Sequence, residues 1–171
     1  IQGLAIGEQY VAINVSPRHF RSADFLRRIL DRTIAYGVPP HRLRIEITEV
    51  ALLDDAPRTS ESLTMLREHG VLAQLDDFGT GFSALSYLHR FPIASLKIDR
   101  SFVSGLDGDV RTESVAVIRA IVALANSLNI EIIAEGVETQ RQRERLHDLG
   151  CTYAQGYLFG RPGPAQDMVQ G

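Results

Sequence analysis

Short apolar runs recur along the chain, and each of them ends in polar or charged residues. The six runs are VAIN, LRIEITE, VLAQLDD, SLKID, EIIAEGVE and TYAQGY. From Asn14 in the first run to Gln155 in the last, the spacing is about 28 residues per step, which fits a strand, a helix and two short loops. The pattern therefore predicts an α/β fold of six successive βα units. Because the strand tips of a parallel barrel meet on one face, the polar ends of the runs indicate one shared chemical site.

Segments with helical periodicity separate the runs. Residues 22–36 place their apolar side chains on one stripe, and Gly37 follows as a stop signal. Thr139 and Gln142 form a capping-box pattern at the start of another helix. The same periodicity predicts helices over residues 58–69, 83–90 and 112–128.

The third run ends in two adjacent acids, Asp76 and Asp77, and a loop containing Gly79 and Gly81 follows. Adjacent strand residues point to opposite faces, so the two carboxylates can converge only if the strand ends or twists there. The glycines allow such a turn. Two converging carboxylates repel each other, and a divalent metal ion is their natural partner. An acidic loop that caps the next helix is the alternative interpretation.

Each run contains a short motif. The motifs are NVS at 14–16, EITE at 46–49, DDFGTGFSAL at 76–85, KID at 97–99, EGVE at 135–138 and QGY at 155–157. In this order, and over nearly the whole chain, they resemble the motifs of the EAL domain family, bacterial phosphodiesterases that hydrolyse cyclic diguanylate. The resemblance implies a TIM-like (βα)8 barrel, of which about six βα units are present in this chain.

The Glu-Ala-Leu motif that gives this family its name, and whose glutamate binds metal there, does not occur before Asn14. We therefore expect residues 1–171 to be an EAL-type phosphodiesterase domain truncated at its N-terminus. Six parallel strands cannot close an eight-stranded barrel, and the open edges invite pairing with other chains. We expect the 171 residues alone to be inactive and either to associate or to aggregate, and the full-length protein to be active.

The resemblance implies an enzyme, a hydrolase that converts cyclic diguanylate (c-di-GMP) to linear pGpG in bacterial second-messenger signalling. Metal-binding positions of the family match Asn14, Glu46, Asp76 and Asp77, with the two aspartates bringing in the second metal ion. Such oxygen ligands favour Mg²⁺ or Mn²⁺ over zinc. In a two-metal site, the ions clamp the attacking and the leaving oxygens of phosphodiester hydrolysis.

Three further positions match functional residues of the family. Lys97 matches a residue that contacts the nucleophilic water, and Glu135 matches the proposed general base or a ligand that binds metal through water. Gln155 matches a position near the metal–water network and the substrate. A structural alternative for Lys97 is an ion pair with Asp99 or Glu135.

Three acidic residues are expected to support the site from outside it. In the family, the residue that matches Glu49 holds the DDFGTG loop. Glu138 is expected to orient its own loop, or else to cap the helix that starts near Thr139. Asp99 is a candidate for loop support as well, although an ion pair with Arg100 is the simpler interpretation.

Composition and charge narrow the classes of partner. The net charge is −3, which disfavours DNA binding, and 44% of the residues are hydrophobic, enough for one sizeable core. The one cysteine, Cys151, rules out an internal disulfide and fits a reducing cytoplasm. We therefore expect a cytoplasmic domain, in a parent protein that other segments can anchor to a membrane.

The expected partners are c-di-GMP, a second copy in a homodimer, and fused sensory or GGDEF-type domains in the parent protein. The alternative to an enzyme is a catalytically inactive receptor that binds c-di-GMP, or a dimerising signalling module. Degenerate domains of that kind lose the strand-tip acids or the DDFGTG loop, whereas both are intact here. The sequence therefore favours the phosphodiesterase.

Overall fold

The strands form one parallel sheet in which neighbours along the chain are neighbours in space. The computed structural model describes residues 10–79, 88–108 and 113–164. The strands within these residues are β1 (Val11–Asn14), β2 (Leu43–Thr48), β3 (Leu72–Phe78), β4 (Ile93–Ile98), β5 (Glu131–Ala134) and β6 (Tyr153–Ala154). Each adjacent pair is parallel. The predicted βα repeat and the α/β class are confirmed.

Helices follow β1, β2, β4 and β5, as the crossover connections of a parallel sheet require. They are α1 (Pro17–Phe20), α2 (Ala23–Ala35), α3 (Glu49–Asp54), α4 (Ala56–Glu68), α5 (Arg100–Ser104), α6 (Glu113–Leu128) and α7 (Gln140–Asp148). Within the described residues, 3₁₀ turns lie at Pro40–Arg42, Leu88–Arg90 and Gly105–Asp107.

The long helices lie where the periodicity predicts them. Ser22 caps α2 by accepting a hydrogen bond from the backbone of Phe25, and the capping box of Thr139 and Gln142 opens α7. Most of the predicted 83–90 helix lies outside the described residues, which resume with the Leu88–Arg90 turn.

Two boundaries differ from the sequence-based prediction. Glu49, predicted at the end of a strand, is the first residue of α3, because the Thr48 side chain caps a helix there by accepting from Ala51. Helix α4 begins at Ala56 rather than at residue 58, because Asp55 caps it and Pro57 fits the first turn of a helix. Helices α1, α3 and α5 have at most six residues, too few to display a 3.6-residue period.

Apolar side chains from the strands and helices fill the core on one side of the sheet. The stripe of α6 is buried against it at Val115, Ile118, Ile121, Val122 and Ala125. On the other face the sheet is concave. Arg44 of β2 forms an ion pair of 3.3 Å with Glu131 of β5, although β3 and β4 lie between them. Since side chains stand roughly perpendicular to a sheet, this contact requires the sheet to curl.

None of the helices in the described part of the chain combines the length and the apolar character needed to cross a lipid bilayer.

Candidate metal and active site

The side chain of Lys97 is surrounded by carboxylates at the carboxyl end of the sheet. Its Nζ atom lies 2.9 Å from Oε1 of Glu46, 3.1 Å from Oδ1 of Asp76 and 2.6 Å from Oε1 of Glu135. These groups come from β2, β3 and the segment after β5, which the curl of the sheet brings together. The ammonium group has three N–H donors, so each carboxylate can accept one of them.

The environment keeps Lys97 charged. Burial alone lowers the pKa of Lys97, but hydrogen bonds to Glu135 and Glu46, together with their negative charges, outweigh burial and raise the pKa above its usual value. The side chain is only 6% exposed. Three carboxylates around one ammonium leave an excess of negative charge at this point of the molecule.

A bulge in β3 turns Asp77 towards the same site as Asp76. Leu75 pairs with Leu96 and Phe78 pairs with Ile98, so β3 holds one extra residue over this stretch. Asp77 lies at this bulge and has a left-handed backbone conformation with φ 54°. Its backbone N–H donates to Oδ1 of Asp76 at 3.1 Å.

The turn therefore occurs at Asp77 itself, inside the strand. The sequence instead predicted that Gly79 and Gly81 would supply it. Gly79 has φ 95°, but it follows the bulge, and Gly81 lies outside the described residues. Asp and Asn are the non-glycine residues that tolerate the left-handed region best, which is why an aspartate can occupy the bulge.

Asp76, Asp77 and Glu135 can together hold a cation. One carboxylate oxygen from each of these residues lies within 4.8 Å of the others. The pKa of Asp77 is raised by partial burial and by the nearby negative charges of Asp76 and Asp99. A divalent ion bound by oxygen ligands would relieve this repulsion, so the donor set fits Mg²⁺, Mn²⁺ or Ca²⁺.

Glu135 and Gln155 continue the strand ladder beyond the ends of β5 and β6. The Gln155 side chain donates from Nε2 to Oε1 of Glu135 at 2.6 Å. The same oxygen accepts from Lys97. Burial raises the pKa of Glu135, and Asp76 and Glu46 add to that effect against the opposing influence of Lys97, so the net pKa is raised.

Asn14 lies at the edge of this cluster. It ends β1 and is the register partner of Glu46 across the β1–β2 ladder, which puts the two residues side by side at the strand tips. The structure thus brings together the predicted residues Asn14, Glu46, Asp76, Asp77, Lys97, Glu135 and Gln155. Of the two structural partners considered for Lys97, Glu135 is in contact with it.

The three predicted support residues have different surroundings. Asp99 caps α5 by accepting from the backbone of Ser101 at 2.9 Å, and although burial raises its pKa, the hydrogen bonds from Ser101 lower it overall. Glu49 is buried at the start of α3, and because residues 80 and 81 of the DDFGTG loop lie outside the described residues, its support of that loop stays a prediction. Glu138 is exposed, and Thr139 caps α7, so the expectation that Glu138 caps that helix is wrong.

A polar layer beneath the cluster was not predicted from the sequence. Gln74, fully buried, donates to Oγ of Ser95 at 2.7 Å and to the Tyr10 hydroxyl at 3.3 Å. The guanidinium of Arg44 lies over the Tyr10 ring. Gln74, Ser95 and Arg44 each precede a site residue by two positions, and this spacing places them on the same strand face. That spacing is the signal that could have revealed the layer.

A curled parallel βα sheet with an acidic cluster at its strand tips that can hold a cation is typical of a TIM-barrel-like protein. The family model described as the EAL domain matches residues 2–162. The chain belongs to the EAL domain family.

Curated relatives include two proteins of Pseudomonas aeruginosa. The cyclic di-GMP phosphodiesterase RocR is 42% identical over 159 residues, which cover 93% of this chain and 40% of RocR. The bifunctional diguanylate cyclase/cyclic di-GMP phosphodiesterase MucR is 41% identical over 159 residues, which cover 93% of this chain and 23% of MucR. The chain thus spans less than half the length of the curated relatives that it matches.

Solved structures of related proteins are similar in fold. The PaMucR phosphodiesterase in complex with c-di-GMP has a TM-score of 0.89 and 40% identity, over 95% of this chain and 65% of that one. The manganese and c-di-GMP complex of Klebsiella pneumoniae BlrP1 has a TM-score of 0.82 and 32% identity, over 92% of this chain and 40% of that one.

Proposed function

We propose that this chain forms the catalytic part of a divalent-metal-dependent phosphodiesterase that hydrolyses c-di-GMP to linear pGpG. The observation that supports this most directly is the contact of Lys97 with Glu46, Asp76 and Glu135 beside the Asp76–Asp77 bulge. A buried cation next to convergent oxygen ligands is the combination that phosphodiester hydrolysis needs, since negative charge develops on the phosphoryl oxygens.

Asn14, Glu46, Asp76 and Asp77 would hold two Mg²⁺ or Mn²⁺ ions. Bound there, the ions would neutralise phosphoryl oxygens and lower the pKa of a coordinated water. The manganese and c-di-GMP complex of BlrP1 supports this choice of ion and ligand. The four side chains offer only oxygen atoms, which suits these hard cations.

Lys97 and Glu135 would act on the attacking water. With Glu46 and Asp76 bound to the metal ions, an N–H of the Lys97 ammonium would be free to donate a hydrogen bond to the water oxygen, and Glu135 would accept a water proton. As the new bond from oxygen to phosphorus forms, the bond from phosphorus to the 3′ oxygen of one ribose breaks, and that oxygen takes a proton from solvent. The product carries a 5′ phosphate, as linear pGpG requires. Gln155, bonded to Glu135 at 2.6 Å, would orient that carboxylate.

A turnover assay of the intact protein tests the proposal. With Mn²⁺ present, c-di-GMP should disappear and pGpG should accumulate, as followed by chromatography, and a chelator should stop the reaction. Glu135→Gln keeps the size and hydrogen bonding of the side chain but removes the base, so it should lower turnover by about 100-fold or more. Binding of c-di-GMP without any pGpG would instead assign the chain to the catalytically inactive receptors.

Additional domains and dimerisation are part of the same proposal. MucR combines cyclase and phosphodiesterase functions in one chain. A GGDEF-type or sensory domain fused to this one, a cytoplasmic location and a homodimer all remain predictions. Sedimentation of the intact protein at several concentrations would test the dimer.

A further inference from the structure

Three consecutive segments, at the end of β4 and after β5 and β6, are stacked through their backbones. The N–H of Glu135 donates to the carbonyl of Ile98 at 3.1 Å, and the N–H of Val137 donates to the carbonyl of Gln155 at 3.0 Å. Because Lys97 directly precedes Ile98, the stack links the three site residues Lys97, Glu135 and Gln155. The distance between these segments therefore fixes how their side chains meet.

Gly136 lies where the second segment passes close to Arg100, which follows the first. It has φ +67°, and a Cβ atom built at this position would lie 2.6 Å from the Cβ of Arg100 and 3.5 Å from its Cα. Carbon atoms in normal contact are about 3.5–4.0 Å apart. Arg100 is the first residue of α5, so the obstacle is anchored to the backbone and cannot swing away as the tip of a flexible side chain would.

Gly156 repeats this arrangement between the third segment and the second. A Cβ atom there would lie 2.3 Å from both the backbone nitrogen and the backbone oxygen of Val137. Two successive interfaces of the stack are thus closed by a residue without a side chain. Gly136 is the more informative of the two glycines, because it directly follows Glu135 and the residue that it contacts, Arg100, lies three positions after Lys97.

We propose that Gly136 is a positioning residue, whose missing side chain lets the Glu135 segment rest on Arg100 and so sets the separation between Glu135 and Lys97. That separation is 2.6 Å between Oε1 and Nζ. Relieving a 2.6 Å carbon contact requires a shift of about 1 Å, and a displacement of that size in an active site can reduce turnover about 100-fold. The kinetic part of this inference rests on the proposed phosphodiesterase function, whereas the geometric part does not.

Gly136→Ala and Gly37→Ala form a matched pair of variants. Gly37 has the same φ of +67°, but nothing lies within 4 Å of a Cβ built there. Both variants force alanine into the left-handed region at a similar cost in thermal stability, to which Gly136→Ala adds the cost of the contact with Arg100. Only Gly136→Ala should also lose activity, with a kcat about 100-fold lower and a KM within about threefold of the original value. Equal kcat values for the two variants would overturn the proposal.

Removing the obstructing atom provides a rescue. In the Arg100→Gly background, the 2.6 Å contact of a Cβ at position 136 would be gone, and its nearest neighbour would be the Cα of residue 100 at an ordinary 3.5 Å. The double variant Gly136→Ala with Arg100→Gly should therefore recover kcat by about tenfold or more relative to Gly136→Ala, as non-additivity of touching residues allows. Failure to recover would mean that crowding against Arg100 is not the cause of the loss.

Crystal structures of the intact protein and of Gly136→Ala give a readout that does not depend on turnover. The distance from Lys97 Nζ to Glu135 Oε1 should increase by about 0.5 Å or more, and an unchanged distance would refute the positioning role. If the unaltered protein does not cleave c-di-GMP, the proposed function fails but this comparison still decides the inference. Should Gly136→Ala not fold, Gly136→Asn keeps the Cβ atom while tolerating positive φ, and the same lengthening is expected.

Discussion

The Nζ atom of Lys97 lies 2.6 Å from Oε1 of Glu135, the shortest of its three contacts with carboxylates. Lys97 is also the only lysine among the 171 residues, in a chain whose other cationic side chains are arginines and histidines. A compact ammonium can direct its three donors to three separate carboxylates, whereas a planar guanidinium forms its hydrogen bonds as a fork. The geometry of the site therefore favours lysine over arginine at position 97.

Lys97→Arg should lose most of its activity although it keeps the positive charge. In a pocket where the side chain is 6% exposed, the guanidinium cannot satisfy all three carboxylates, so we expect turnover to fall about 100-fold or more while binding of c-di-GMP changes little. Turnover with Mn²⁺ and the dissociation constant in Ca²⁺ should be measured together. Arg28→Lys, on the exposed face of α2, is the control for the exchange of these two residue types. Near-normal turnover of Lys97→Arg would contradict the role assigned to Lys97.

The acidic cluster makes a prediction about metal binding. Asp76→Ala with Asp77→Ala removes two of the three converging carboxylates, so the heat of Mn²⁺ binding at this site should disappear in isothermal titration of the intact protein. Asp24 and Asp31 are exposed on α2, and replacing both by alanine removes the same charge elsewhere. This control should bind Mn²⁺ as the unaltered protein does, and equal binding by both double variants would exclude a metal site at the bulge.

The sequence predicted which residues lie at the strand tips, but it did not predict how the strands pair there or which polar side chains lie beneath the tips. Apolar runs and motif order placed Glu46, Asp76 and Glu135 at strand ends, because burial on both faces makes each strand an apolar run with a polar end. The bulge at Asp77 could not be predicted, since an extra residue in one strand is defined only by its pairing with the next. Gln74 was overlooked because a single polar residue within an apolar run does not change the period.

Cys151 makes a prediction about reactivity and pH. Burial raises the pKa of its thiol to about 12, so an alkylating reagent at pH 8 should label it only when the protein unfolds. The folded state holds this proton more tightly than the unfolded chain, whose thiol has an ordinary pKa of 9.0. The contribution of the thiol to the free energy of unfolding is therefore fully present below pH 9 and is lost as the pH rises towards 12.

Cys151→Ala isolates this contribution. The difference in free energy of unfolding between the two proteins should be constant below about pH 9 and should shift in favour of the alanine variant above it. Denaturant titrations at pH 7, 9 and 10 would measure the difference. Rapid labelling of the folded protein at pH 8, or a difference that does not change with pH, would show that the thiol is accessible.

Gln142 connects the start of α7 with the turn that follows α5. Its side-chain oxygen accepts from the backbone N–H groups of Glu138 and Thr139, at 2.7 and 3.1 Å, and its Nε2 donates to Asp107 at 2.7 Å. The side chain is buried, so Gln142→Leu would remove all three of these hydrogen bonds while filling a similar volume, although Asp107 would still accept from the Thr139 hydroxyl at 3.2 Å. We expect the free energy of unfolding to fall by about 2–3 kcal/mol, since a buried polar group without its partner costs about 1–3 kcal/mol.

Gln140→Leu is the control, because Gln140 lies two residues earlier in the same helix and is exposed. This variant should change the free energy of unfolding by less than about 0.5 kcal/mol. Urea denaturation of both variants measures the difference, and equal stability would mean that water replaces the lost hydrogen bonds at no cost.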